Sequence, residues 1–418
     1  MTSHLRWRNW SREQRCNPWE IAHPRTREGL IRTVVDAVEA GRRVKVAGSG
    51  HSFTPAALTD GTMLRLELLD RILDLDPVSR TVRVEAGIVL GDLNRRLHEH
   101  GVALENLGDI DRQTLAGSIS TATHGTGAGF GNLSSQVVAM EIVGPDGTLH
   151  ELTEAGDGDA LRAARVGVGA LGAIYSVTLR TVGAYRVDRV DRPLPLAEVL
   201  DDIDGHASAH DHFEFYVFPY TDTALCRESS RTEAPPEPRN GAAVYAQEVV
   251  LENWVGAGFA AAARAVPSAA PRLARLASRG TGRSRTLDDS FRVFASERRI
   301  RFTEMEYAIA PANAREAIER VLEIAGRPEL GIAYPIEVRF VAADDAMLSP
   351  SHERDACYIA VHGDRAGAWS EYFGAVADVM NGYGGRPHWG KRHFLGHREL
   401  SGLYPRWEDF RRVRARLD

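Results

Sequence analysis

Apolar positions recur along this chain with two periods, and the change from one to the other marks out its elements. Leu30, Val34 and Val38, with Ile31 and Val35 beside them, repeat at helical spacing ahead of Gly41, and a β-rich run follows at 44–47. Alternating stretches predict strands over 62–66, 72–75 and 81–85, with Asp76-Pro77 as the turn between the last two. A helix over 90–100 stops at Gly101. Pro145-Asp146-Gly147, set between 137–143 and 148–152, is a hairpin signature, and 172–182 reads as a further strand. Near residue 185 the composition shifts, and the run holding Pro193 and Pro195 reads as a linker, so one domain is expected over 1–184 and a second after it. The second domain predicts strands at 213–218, 301–310, 335–343 and 357–362, a helix from Pro311 to Gly326 and another over 368–380. Its stretch 231–285 is rich in Ala, Arg and Pro, with a helix at 260–265. Strands and helices do not alternate as in a doubly wound sheet, so the expected class is mixed α+β.

Composition narrows the function classes. A chain of 418 residues is too long for one ordinary core, and 43% hydrophobic with 26% charged residues is the make-up of a globular protein. A net charge of -6 gives no electrostatic reason to bind nucleic acid. The amino terminus is polar and aromatic where a secretory signal needs an apolar core, and no run reaches transmembrane length, so a cytoplasmic protein is expected. The basic 231–285 stretch leaves membrane-surface association open, with a solvated helical excursion as the favoured reading. Cys16, Cys226 and Cys357 are odd in number and lack metal-ligand spacing, so neither a disulfide framework nor a metal site is expected.

The candidate chemistry starts at Val44 to Phe53, a β-rich run that breaks into Gly48-Ser49-Gly50-His51-Ser52. Such a loop can present bare amides to a diphosphate. It is not a dinucleotide fingerprint, because the third glycine is missing and no helix pattern starts there. A second small-residue tract, Gly117-Ser118-Ile119-Ser120-Thr121-Ala122-Thr123-His124-Gly125-Thr126-Gly127, carries hydroxyls and glycines where a packed core would want bulk.

With Glu-Val-Arg at 337–339 and His-Trp-Gly-Lys at 388–391, these tracts resemble the vanillyl-alcohol oxidase superfamily, whose FAD-binding domain is of the PCMH type, and within it the aldonolactone and alditol oxidoreductases. The resemblance implies an FAD domain over 1–184, a substrate domain over 185–383 built on a mixed or antiparallel sheet, and a return segment over 384–418. It implies FAD bound covalently from His51 to the flavin 8α-methyl group. The amides of Ala47, Gly48, Ser49, Gly50, His51 and Ser52 would hold the diphosphate. Thr114, Gly117, Ser118 and Ser120, with His124 nearby, would line the rest of the cofactor, and Ile174 would touch its adenine half. Members of this group continue beyond the equivalent of Leu417-Asp418 with a Pro-containing segment that closes over the flavin.

Glu337 and Arg339 are two apart on a predicted strand and share a face. From residue type alone they read as an ion pair on a solvated sheet, and Glu304 with Glu306 are same-face charges of the same solvated kind. The resemblance makes Arg339 the stabiliser of a developing alkoxide and Glu337 its orienting partner. Lys391 is either a surface residue of a basic run or, placed beside Arg339, a group of lowered pKa that exchanges a proton with substrate. His362 is a second contact or a buried structural imidazole. Asp109 departs from the serine of alditol oxidases and favours lactones. Gly108 either permits a tight turn or leaves the flavin edge open to dioxygen.

The activity implied is oxidation of a sugar-derived aldono-1,4-lactone by hydride transfer to flavin N5, with reoxidation by O2 to H2O2. Its rivals are an alditol oxidase, a lactone dehydrogenase that uses a cytochrome or quinone, and a flavin-carrying protein without turnover.

Overall fold

Two large antiparallel sheets with different demands organise the chain, whose computed structural model describes residues 5–237, 258, 261–262, 265–280, 282–296, 300–365, 367 and 369–418. The first half is built on local signals. Thr26 caps the helix Arg27–Glu39 by accepting from Gly29 N–H at 3.0 Å, and the helix buries Leu30, Val34 and Ala37. Strand Val44–Val46 then runs parallel to Thr62–Leu64, which also pairs in parallel with Glu20–Ala22. A five-stranded antiparallel sheet follows in the order Leu149–Thr153, Val137–Val143, Ala173–Arg180, Thr81–Glu85, Ile72–Asp76. Its inner positions, among them Val82, Val84, Met140, Ile142, Val177 and Leu179, join one buried cluster with the helices.

The helix Glu154–Arg165 is absent from the sequence reading. Gly156, Asp157 and Gly158 blur its period, and Asp157 has non-helical dihedrals in the structure. The second small-residue tract also begins as a helix, Leu115–Ser120, capped by Thr114, which accepts from Gly117 N–H at 3.3 Å.

The eight-stranded sheet has the order Ser284–Asp289, Arg186–Pro195, Thr223–Thr232, His212–Val217, Ile336–Val341, Ala356–Gly363, Thr303–Ile309, Arg386–Pro387. The run read as a linker is therefore a ten-residue strand. Ser284–Asp289 pairs only with its Arg186–Asp191 part, so Pro193 and Pro195 fall where that neighbour has ended and a missing N–H costs little. The helix expected at 260–265 lies largely outside the described residues; Ala270–Gly280 is the helix seen there.

Alternation gives this sheet two unlike faces. Phe213, Phe215, Val338, Met305, Tyr307, Ile359 and Val361 pack with the helices Ala314–Ala325 and Trp369–Gly382 into a second core. On the other face the register sets Asp191 opposite Arg227, Arg227 opposite Glu214, and Glu214 opposite Arg339. One row along, Tyr216 stands opposite Glu337, while Glu304 stands opposite His362. This face is not solvated: Glu214, Glu304, Glu306, Glu337 and Arg339 are each exposed by 6% or less.

Hydrogen bonds, most of them between main-chain groups, fasten the first half of the molecule across it. Gly127 N–H donates to Phe340 O at 2.7 Å, Phe340 N–H to Thr126 Oγ1 at 3.2 Å, and Ala342 N–H to Phe130 O at 2.9 Å. The turn at His388 to Lys391 adds a second seam, with His388 N–H on Glu306 O at 3.0 Å, Arg392 N–H on Glu304 O at 2.9 Å, and Phe53 N–H on Gly390 O at 2.7 Å.

Candidate active site

The first small-residue tract opens a cleft rather than filling one. Ala47 N–H is spent on Leu64 O and Phe53 N–H on Gly390 O, whereas the amides of Gly48, Ser49, Gly50, His51 and Ser52 donate to no backbone carbonyl among the described residues. These residues line a cleft with Ala47, Thr114, Gly117, Ser120 and Ile174, enclosing about 1040 Å³ out to its open mouth. Gly48 lies so close to the second tract that a Cβ there would collide with Thr114 Oγ1. Unspent amides gathered on small residues suit a diphosphate, and the length of the lining suits a dinucleotide, so the residues present fit FAD. His51 stacks on Trp10 with ring centroids 5.3 Å apart. Burial, with Lys391 and Arg112 nearby, brings its imidazole down to about 4, which leaves a nitrogen lone pair available at ordinary pH.

Three of the residues expected to line the cofactor stand elsewhere. Ser118 is fully buried and donates its hydroxyl to Leu115 O at 2.8 Å. His124 faces the substrate sheet, and Gly108 lines a different cavity. A Cβ on Gly108 would come within 3.1 Å of His124 O, so close approach of the backbone by itself accounts for glycine there.

Beside the cleft lies the charged sheet face. Arg339 is held by three carboxylates: Nε reaches Glu214 Oε2 at 2.8 Å, and Nη2 contacts both Glu337 and, at 3.4 Å, Asp109 Oδ2. Tyr216 donates to Glu337 Oε1 at 2.9 Å or to Glu214 Oε1 at 3.0 Å, and Arg227 Nη1 meets Glu214 Oε1 at 2.9 Å. The two glutamates are driven apart. Burial opposes the charge of Glu214, but Arg339 and Arg227 outweigh it and hold that carboxyl at about 2. At Glu337 burial wins over Arg339, helped by the nearby charges of Asp109 and Glu214, and its pKa is raised. Arg339 stays protonated, its burial outweighed by the acids around it.

The structure overturns the expectation for Lys391. It lies beside Glu304, with which its ammonium pairs, rather than beside Arg339. Burial lowers its pKa, but Glu304 and Glu306 more than compensate, so the pKa rises. Its ammonium also lies 5.8 Å from the Phe53 ring, between the cofactor loop and the sheet. His362 is half-buried, with Nδ1 3.3 Å from Pro335 O and Nε2 3.7 Å from Glu304 and 4.0 Å from Glu337. Glu304 and Glu306, read from sequence as solvated, are buried partners of Lys391 and His124.

His124, Glu306 and His388 form a buried group that the sequence reading did not assemble. His124 Nδ1 faces Gly125 O at 2.8 Å, and its Nε2 lies 3.3 Å from Glu306 Oε1, so both nitrogens face acceptors. His388 Nδ1 accepts from Gly390 N–H at 2.9 Å, which puts the proton of the neutral ring on Nε2. That nitrogen is then a donor, and the trio is a hydrogen-bond network rather than a metal cage. Glu214 and Tyr216 stand on the expected strand 213–218 but were given no role, and Arg227 stands on a strand that the sequence reading lacks. The alternation Phe213-Glu214-Phe215-Tyr216-Val217 was the available signal.

Residues 18–153 match the family model described as FAD binding domain, and residues 177–418 match the one described as D-arabinono-1,4-lactone oxidase. The L-gulono-1,4-lactone dehydrogenase of Mycobacterium tuberculosis is 44% identical over 415 residues, covering 99% of this chain and 95% of that protein. The L-gulonolactone oxidase of Bos taurus is 32% identical over 431 residues, with 99% and 95% covered. A cholesterol oxidase from B. sterolicum superposes with a TM-score of 0.81 at 16% identity, over 99% of this chain and 94% of that one, which is a likeness of fold. An FAD-binding fold joined to this buried charged face defines an FAD-dependent oxidoreductase. The chain belongs to the D-arabinono-1,4-lactone oxidase family. Among the described residues no helix is long and apolar enough to cross a membrane.

His388 offers a test of this electrostatic arrangement. Burial, together with Lys391 and His124 and against Glu306, lowers its pKa from 6.5 to about 3. The unfolded chain takes up a proton that the folded chain refuses, so the stability contributed is full above pH 6.5 and lost as pH falls toward 3. Urea unfolding of His388→Gln between pH 6.5 and 4.5 should show a stability slope shallower by up to about 1.4 kcal/mol per pH unit than that of the parent. Parallel slopes would mean that the ring is already charged in the folded protein.

Proposed function

We propose that this protein oxidises a hydroxyl-bearing carbon of an aldono-1,4-lactone of the gulono, galactono or arabinono type. The observation that carries this reading is Arg339, a buried guanidinium fixed by Asp109, Glu214 and Glu337 at the edge of the cofactor half. FAD, when bound, supplies the electron acceptor. Arg339 stabilises negative charge developing on the substrate oxygen, a role its raised pKa secures at any working pH. Glu337, the acid whose pKa is raised, takes the hydroxyl proton, and His362 at 4.0 Å is placed to pass it on. Lys391 stays an ammonium and neutralises Glu304, which keeps a second buried carboxylate from competing for that proton. Asp109, partly exposed, accepts hydroxyls of the lactone.

Anaerobic bleaching of the yellow protein tests this directly: gulono- or arabinono-1,4-lactone should reduce it faster than xylitol or sorbitol. Arg339→Lys should slow that reduction by about 100-fold or more while keeping the flavin, because a point charge cannot serve three carboxylates and a substrate oxygen together. A rate within a few-fold of the parent would make Arg339 a structural ion-pair partner.

The neutral imidazole of His51, turned toward a cleft that fits FAD, supports covalent attachment through that ring. Denatured, acid-treated polypeptide should then fluoresce on a gel, and His51→Ala should release its flavin to the supernatant. Free FAD from the parent would exclude the bond.

Dioxygen is the acceptor we assign. A second reading, in which a cytochrome or quinone takes the electrons, is favoured by the dehydrogenase name of the mycobacterial relative. Air-saturated buffer added to reduced protein should restore the yellow colour and yield hydrogen peroxide. Colour that returns only on addition of a quinone or cytochrome c would establish the second reading.

A further inference from the structure

Next to the reacting cluster lies a second, smaller cavity, whose wall includes Gly108, Asp109, His212, Glu214, Arg227 and Arg339. It shares Asp109 and Arg339 with the cluster, but among its described lining residues are neither Glu337, Lys391 and His362 nor any residue of the cofactor cleft. We propose that this cavity receives the hydroxyl-bearing side chain of the lactone, and that His212 reads it. The inference rests on the lactone reading above and adds to it which part of the substrate goes where.

His212 carries the proposal. Its side chain is 1% exposed, and its Nδ1 lies 2.8 Å from Thr126 O. A carbonyl only accepts, so Nδ1 bears the proton and Nε2 is a lone-pair acceptor. That Nε2 is buried and has no hydrogen-bond partner among the described residues. A buried polar atom without a partner is costly, so a ligand that donates to it is strongly favoured. The ring cannot turn away, because Phe130 stacks on it at 4.7 Å and Phe294 meets its face edge-on at 4.8 Å. Burial keeps it neutral.

The remaining wall selects the ligand class. Asp109 and Glu214 are carboxylates that repel an anion and accept hydroxyls, while Arg227 and Arg339 discourage a cation and donate to hydroxyl oxygens. Val293 and Phe294 supply an apolar strip for C–H groups. Acceptors, donors and an apolar strip together suit a neutral polyhydroxyl chain. With the ring of the lactone at Arg339, the exocyclic carbons are the only hydroxyl-bearing part that extends away from the reacting centre. A six-carbon lactone carries two such hydroxyls, a five-carbon lactone one, and a four-carbon lactone none.

The experiment compares kcat/KM of the holoenzyme for gulono-, arabinono- and erythrono-1,4-lactone. The parent should lose about tenfold for each tail hydroxyl removed, chiefly through KM. His212→Phe, which keeps the ring stack and removes the acceptor, should collapse the gulono-to-erythrono ratio toward unity. Ser229→Leu should do the same by filling the cavity from the neighbouring strand, where Ser229 pairs with His212, and it keeps the test alive if the first variant does not fold. A flat series in the parent, or an undiminished ratio in the folded variants, would overturn the subsite and leave the lactone reading standing. Failure of every lactone to reduce the flavin would overturn both.

Discussion

Placing charged side chains on a sheet face that is covered by protein is the constraint on which the rest of this structure depends. A charge taken out of water costs several kcal/mol unless an opposite charge and hydrogen bonds meet it in place. Strand register supplies that matching here, setting Asp191, Arg227, Glu214 and Arg339 side by side, so the order of the strands is also the order of the charges. A slip of one residue would turn this row into the aliphatic core and the aromatic row toward the cofactor half. The hydrophobic face packed under two helices thus does more than hold the sheet together, because it fixes which residues can meet at the site.

Incomplete neutralisation is what makes such a face chemically useful. Arg339 and Arg227 outweigh the burial of Glu214, whereas Glu337 shares Arg339 with two other acids and its pKa is raised. Neighbouring groups of one residue type have their pKa values driven in opposite directions by where they stand, which is how a protein separates a proton acceptor from a counter-ion with the same side chain. Lys391 shows the same logic in reverse: with Glu304 against it and Glu306 near, it is locked as a cation.

Much of this was legible in the sequence where a local rule applies. The helix that carries Leu30, Val34 and Val38, the hairpin about Pro145-Asp146-Gly147 and the strands that carry Glu337, Glu304 and His362 follow from period and turn chemistry. The residues missed are those whose role is fixed by partners far along the chain. Arg227 sits on a strand with little alternation of its own, and Arg186–Pro195 looked like a linker because proline signals a break unless one knows that the neighbouring strand has already ended. Burial was misjudged for Glu304 and Glu306 because charge on an alternating strand ordinarily means solvent, and only the cover over the sheet says otherwise.

The seam between the second small-residue tract and the substrate sheet is made chiefly by main-chain groups: Phe340 O accepts from Gly127 N–H, and Ala342 N–H donates to Phe130 O. Arg339 is the residue before Phe340, so its distance from the cofactor half is set mainly by peptide groups, which every sequence possesses. Side chains that line the walls without pairing to Arg339 can therefore change in evolution without moving the reacting centre. A lineage can trade one sugar for another by altering the walls, while the spacing on which electron transfer depends is inherited unchanged.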